Sequence, residues 1–201
     1  MKIFFSPASP FVRKVMVVAH EHGIADRIEK LPSAVWPTKR DMTVVAKNPL
    51  GKVPTALRDD GGALYDSRVV CEYLDAGQGG TLFGSGENRW RNLVDQSIGD
   101  GILDAALLIR YETLARPAEL KCAEWEAGQY DKILSSLDLL ESRTGEFADR
   151  VDIGTITIGC ALGYLDFRFG DLDWRASHPG LAAWYAGFSA RPSMKATVPA
   201  G

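Results

Sequence analysis

The chain has 201 residues, of which 46% are hydrophobic and 24% charged, with a formal net charge of -3. That length supports one large or two small cored domains. Basic residues alternate with acidic ones, which excludes the electrostatic stripe that nucleic acid requires, and aliphatic stretches such as Val15 to Ala19 are far too short to cross a bilayer.

The opening Met1 to Pro7 has too short an apolar run for a signal peptide. Cys71, Cys122 and Cys160 are odd in number, widely spaced and without a CxxC pair. That pattern predicts a reducing compartment, the cytosol, in place of a disulfide framework.

In chain order, Lys2 to Phe5 predicts a buried strand. Ser9-Pro10 then opens a helix in which Phe11, Val15, Val18, Ala19 and His22 recur at helical spacing, and Gly23 stops it. Arg27 to Leu31 predicts a second strand, and Lys39 to Ala46 a short helix. Thr55 to Arg58 and Ala63 to Tyr65 flank Asp59-Asp60-Gly61-Gly62, a hairpin signal. Ser67 to Ala76 predicts a helix with Gly77 as its stop. The order βαβ-(α)-ββα implies a mixed sheet covered by helices.

The glycine-rich residues 77–86 mark a linker between residues 1–76 and 87–201. Beyond it every pattern is helical, at Asn88 to Leu114, Pro117 to Arg143, Asp152 to Phe169 and Pro179 to Ala190. Asp152 to Ile158 has strand propensity on its own, but Cys160 to Leu165 and the Asp152/Thr155 spacing favour a buried helix.

Three segments carry polar groups where chain geometry exposes backbone donors. Ser9-Pro10-Phe11-Val12 sits where a strand feeds a helix N-terminus, whose free N–H groups and dipole stabilise an anion. Val53-Pro54 directly precedes a strand, where a cis bond would turn the Val53 N–H and C=O toward a ligand; an ordinary trans proline is the alternative. Asp66-Ser67 opens another helix, able to accept from an amine and to hold a carboxylate. For both Ser9 and Asp66 the plain alternative is helix capping alone.

The three segments in this order resemble the N-terminal domain of the glutathione transferases, in particular the serine-dependent bacterial and plant-like classes. Asp152 to Leu165, His178 to Trp184 and Ala190 to Ser193 are similar to that family's buried and terminal helices. The resemblance implies an α/β plus all-α fold: a thioredoxin-like domain with a mixed four-stranded sheet, then a helical bundle. It implies Ser9 as the residue that activates the glutathione thiol, and Lys52, Val53, Pro54, Asp66 and Ser67 as glutathione contacts. Lys39 and Arg40 are further candidates at the glycyl end, and Arg13 beside the thiolate, with a solvated face as the alternative for Arg13. An electrophile pocket would use Phe11, Trp36, Leu108 and Tyr111, with Ala105 and Ile109 beside them. Glutathione enters as co-substrate, with no other cofactor, and the second partner is a small hydrophobic electrophile.

The resemblance also implies a homodimer packed through the long helices after the linker. Arg68 and the acids from Asp95 to Asp104 are candidates for that face, and Asp100 for the partner's glutathione. A helix start without cysteine disfavours dithiol exchange. His20 and His22, two apart on a helix, point to different faces and cannot share a metal. Peroxide reduction by the same thiolate, a non-catalytic glutathione carrier and a protein-recruiting module are the rival readings.

Overall fold

A computed structural model describes residues 1–201. The chain divides into two compact units, Met1–Arg89 with Pro192–Gly201, and Trp90–Arg191.

In the first unit, strands β1 (Lys2–Phe5), β2 (Glu29–Pro32), β3 (Thr55–Leu57) and β4 (Ala63–Leu64) form one sheet in the order β2-β1-β3-β4. β1 runs parallel to β2 and antiparallel to β3, and β3 runs antiparallel to β4. The mixed sheet follows from its connections, since a parallel pair needs a crossover and an antiparallel pair needs only a hairpin. Helix α1 (Pro10–Glu21) is the crossover between β1 and β2. The short α2 (Met42–Val45) precedes β3, and α3 (Ser67–Ala76) follows β4. α1 packs against α3 and against α9 (Pro192–Lys195), and α3 packs against β3. Being covered on several sides, α1 buries Arg13 and Lys14 along with its valines.

The glycine-rich stretch after α3 is anchored. Asp75, 1% exposed, accepts from the N–H groups of Leu82 at 2.9 Å and Phe83 at 3.1 Å, and both of those side chains are buried. His22 Nε2 lies 2.9 Å from the same carboxylate.

The second unit contains most of α4 (Gly86–Ala115), then α5 (Ala123–Ser142), α6 (Ile153–Arg168), α7 (Trp174–Ser177) and α8 (Pro179–Ser189). The expected helix from Pro117 begins only at Ala123. Pro117 and Lys121 are extended around a single 3-10 turn, and the Cys122 N–H is taken by the Glu112 carboxylate at 3.1 Å.

α6 is buried at every residue from Ile153 to Leu165, so its strand propensity yields to its place in the core. It is set close to α4: a Cβ at Gly99 would meet Thr157 Cγ2 at 2.8 Å, and one at Gly154 would meet Asp95 Cβ at 2.5 Å. Asp152 and Thr155 form the expected capping box. Asp95, expected on a dimer face, is instead fully buried between Arg143 and Arg150, each with a guanidinium nitrogen 2.9 Å from its carboxylate. An uncompensated charge there would be costly, which is why two cations converge on it. No helix is long and apolar enough to cross a membrane.

Candidate active site

Strand register brings the three segments to one end of the sheet. Phe4 pairs with Thr55, so the turn after β1 emerges beside the residues that precede β3. Ala56 pairs with Leu64, so the residues after β4 emerge at the same end. Ser9, Val53-Pro54 and Asp66-Ser67 therefore share that end, with the N-termini of α1 and α3. Two helix N-termini at one place make it favourable for negative charge.

Ser9 is the N-cap of α1, and its Oγ accepts from the Val12 N–H at 3.3 Å. Pro10 occupies the first helical position, where a missing N–H is harmless. Capping uses a lone pair of the Ser9 hydroxyl and not its proton, for which the protein supplies no acceptor. The hydroxyl can thus cap the helix and donate outward at the same time.

The Val53–Pro54 peptide is cis. Asn48, only 1% exposed, braces the loop that carries it. Its Oδ1 accepts from the Leu50 N–H at 3.0 Å, and its Nδ2 donates to Thr55 Oγ1 at 2.8 Å and to the Lys52 carbonyl at 3.3 Å. Thr55 Oγ1 donates to that carbonyl at 2.8 Å. Asn48 opens the segment that leads to Val53-Pro54, and its bracing role has one local signal, an Asn placed to form an Asx-turn ahead of Pro-Leu-Gly.

Asp66 is the N-cap of α3 and accepts from the Arg68 N–H at 2.9 Å. Its other oxygen lies 3.9 Å from Arg68 Nε, and the side chain is largely exposed. Ser67 is 3% exposed, and no group in the protein bonds its hydroxyl. Lys52 is exposed.

Arg40 donates to the Pro49 carbonyl, so it supports this loop from outside. Lys39 is exposed and bridges to Trp36. Nearby, Asp41 caps α2, and bonds from the Thr43 hydroxyl and the Ala34 N–H hold its pKa at about 2. Arg13 does not lie on a solvated face: it is 6% exposed and donates to the Met194 carbonyl at 3.4 Å.

Of the residues expected at an electrophile pocket, Ile109 lines a cavity in the helical unit. Ala105 is buried, and Trp36 and Leu108 are 41% and 43% exposed. Tyr111 is half-buried, and that burial raises its phenol above the usual range. Asp100 is buried.

Comparison with known proteins gives the same two-part order. The glutathione S-transferase N-terminal domain family matches residues 8–76, and the glutathione S-transferase C-terminal domain family matches residues 123–187. The Escherichia coli K12 uncharacterized GST-like protein YibF is 33% identical, across 99% of this chain and 98% of that protein. A glutathione transferase family member from Pseudomonas fluorescens Pf-5, solved with bound glutathione, is 47% identical with a TM-score of 0.97, covering 100% of this chain and 99% of the other. A second structure under that description, with bound S-(propanoic acid)-glutathione, is 46% identical with a TM-score of 0.92 over 100% of both chains. Since both domain families match in sequence and the likeness spans full length, the chain belongs to the glutathione S-transferase family.

Proposed function

We propose that this protein transfers glutathione to small hydrophobic electrophiles, with Ser9 donating a hydrogen bond to the cysteinyl sulfur and holding it as a thiolate. The observation that carries the reading is the division of labour at Ser9, whose oxygen caps α1 while its proton has no protein acceptor. Ser9 stabilises the anion; it does not itself attack.

The energies suffice. A free thiol has a pKa near 8.5, and lowering it by about two units requires roughly 2.7 kcal/mol. A hydrogen bond to a charged sulfur contributes about 1.5–3 kcal/mol, and a helix N-terminus roughly 0.3–1 kcal/mol. No general base is needed.

In this reading the Val53 backbone pairs with the cysteinyl backbone beside cis Pro54. Asp66 accepts from the γ-glutamyl ammonium, and the buried Ser67 hydroxyl donates to the γ-glutamyl carboxylate. Lys52 serves the glycyl end. The Pseudomonas relative that holds S-(propanoic acid)-glutathione supports transfer over simple carriage, because that molecule is a thioether of the kind transfer makes. Trp90 and Val94, 62% and 56% exposed and one turn apart on α4, support a homodimer packed through that helix. Three cysteines, odd in number, widely spaced and without a CxxC pair, support a cytoplasmic location.

Titrating the thiolate absorbance of protein-bound glutathione tests the proposal. The apparent pKa should fall about two units below that of the free thiol. A value equal to that of free glutathione would favour a carrier.

A further inference from the structure

One cavity lies wholly within the first unit and includes none of the glutathione contacts proposed above. It is walled by the turn after β1, one face of α1, Lys30 of β2 and residues 196–198, and its volume is about 70 Å³. Sites for larger organic ligands run from about 300 to 1,000 Å³, so this one encloses only a small ion or a small group.

Its side chains offer donors and no acid. Arg13, His20 and Lys30 all line it, and none of the lining residues is acidic. Arg13 is 6% exposed, and its Nε and Nη1 are buried without an acceptor; only Nη2 is engaged, on the Met194 carbonyl. A buried cation short of acceptors is costly, and an anion within reach would remove that cost. Lys30 Nζ sits 4.7 Å from the centre of the Phe5 ring, which holds the ammonium at the cavity wall, and it has no carboxylate partner. The His20 ring and the Ser6 hydroxyl, also at the wall, bond nothing in the protein. Acids adjoining these residues in sequence are engaged elsewhere. Glu21 accepts from the Ser193 hydroxyl, and Glu29 pairs with Lys2 at 2.9 Å.

We propose that this cavity binds a small tetrahedral oxyanion of the phosphate or sulfate class, either free or at the end of a larger molecule. The donors come from three directions: Ser6 from the turn, Arg13 and His20 from α1, and Lys30 from β2. A tetrahedral anion presents oxygens to all of them, whereas a carboxylate presents two in one plane. The two fixed cations, Arg13 and Lys30, match a dianion and form charge-assisted hydrogen bonds with it.

Equilibrium dialysis of the full chain against radiolabelled inorganic phosphate, without glutathione, tests the site apart from the thiolate chemistry. A single phosphate should bind per chain with millimolar affinity; sulfate should displace it, and acetate at the same concentration should not. Lys30→Gln and Arg13→Gln should each weaken phosphate about tenfold, with Lys30→Arg recovering most of the loss. Lys132→Gln, an equal change of charge on α5, should leave it unaltered. Phenyl phosphate separates the two sources. Displacement by it supports a phosphoryl group carried on a larger molecule, and failure to displace supports the free ion. Absence of saturable phosphate binding, equal displacement by acetate, or the same loss in Lys132→Gln as in Lys30→Gln would each overturn the proposal. Should Arg13→Gln fail to fold, Lys30→Gln and His20→Gln decide, and unaltered affinity in both overturns it.

Discussion

At the start of α6, Asp152 accepts from the Thr155 N–H at 3.0 Å while Thr155 Oγ1 accepts from the Asp152 N–H at 3.1 Å. Both residues are buried, and Arg150 adds a bond to the remaining Asp152 oxygen at 2.9 Å. At the starts of α1 and α3 the same residue types are left incomplete. Ser9 keeps its proton, Ser67 keeps its whole hydroxyl, and Asp66 keeps an exposed oxygen. A saturated cap can only stabilise, because it has nothing left to offer a ligand. An unsaturated cap stabilises its helix less and retains the donors and acceptors that recognise one. The residue type at a helix start therefore does not separate structure from function; the count of remaining bonds does.

That contrast can be broken by substitution, and the largest effect belongs to the saturated region. Asp95→Ala leaves Arg143 and Arg150 without their shared carboxylate and should lower stability by about 3–5 kcal/mol in denaturant unfolding. A loss below about 1 kcal/mol would mean that the buried ions contribute little to stability.

Ser9→Ala should reverse the pattern, changing chemistry more than stability. We expect kcat/KM for an aryl halide at neutral pH to fall by about 1.5–3 kcal/mol, with a cap loss near 1 kcal/mol in unfolding. The deficit should shrink as pH rises through the free thiol range, since solvent then removes the proton that Ser9 no longer helps to displace. Unchanged activity at neutral pH would end the thiolate assignment.

Ser67→Ala sharpens the comparison at the second open cap. Calorimetry should show about tenfold weaker glutathione binding, the share of one hydrogen bond to a charged group. Unfolding should be nearly unaffected, because the hydroxyl bonds nothing in the protein. The smallest effect is expected for Thr155→Val, which removes one half of the α6 box. It should cost about 1 kcal/mol of stability with kcat/KM per folded molecule unchanged. A drop in catalysis there would mean the two kinds of cap are not functionally distinct.

Much of this protein was written in short-range pattern. The strand at Lys2–Phe5, the helix from Pro10, the hairpin around Asp59 to Gly62, the helix Ser67–Ala76 and the capping pair Asp152/Thr155 depend on neighbours within a few residues, and all are present. Residue type and order also pointed to the sheet end where Ser9, Val53 and Ser67 emerge.

Only the tertiary structure decided the rest. It showed that Arg13 lies buried against the Met194 carbonyl, that Asn48 braces the Pro54 loop, and that the glycine-rich stretch is tied to Asp75. It also gathered Arg13, His20 and Lys30 around one cavity. Each of these depends on groups brought together from separate parts of the chain or on which donors remain without a partner. Local propensity carries no record of either, because burial and pairing are settled only when distant segments compete for the same space and the same hydrogen bonds.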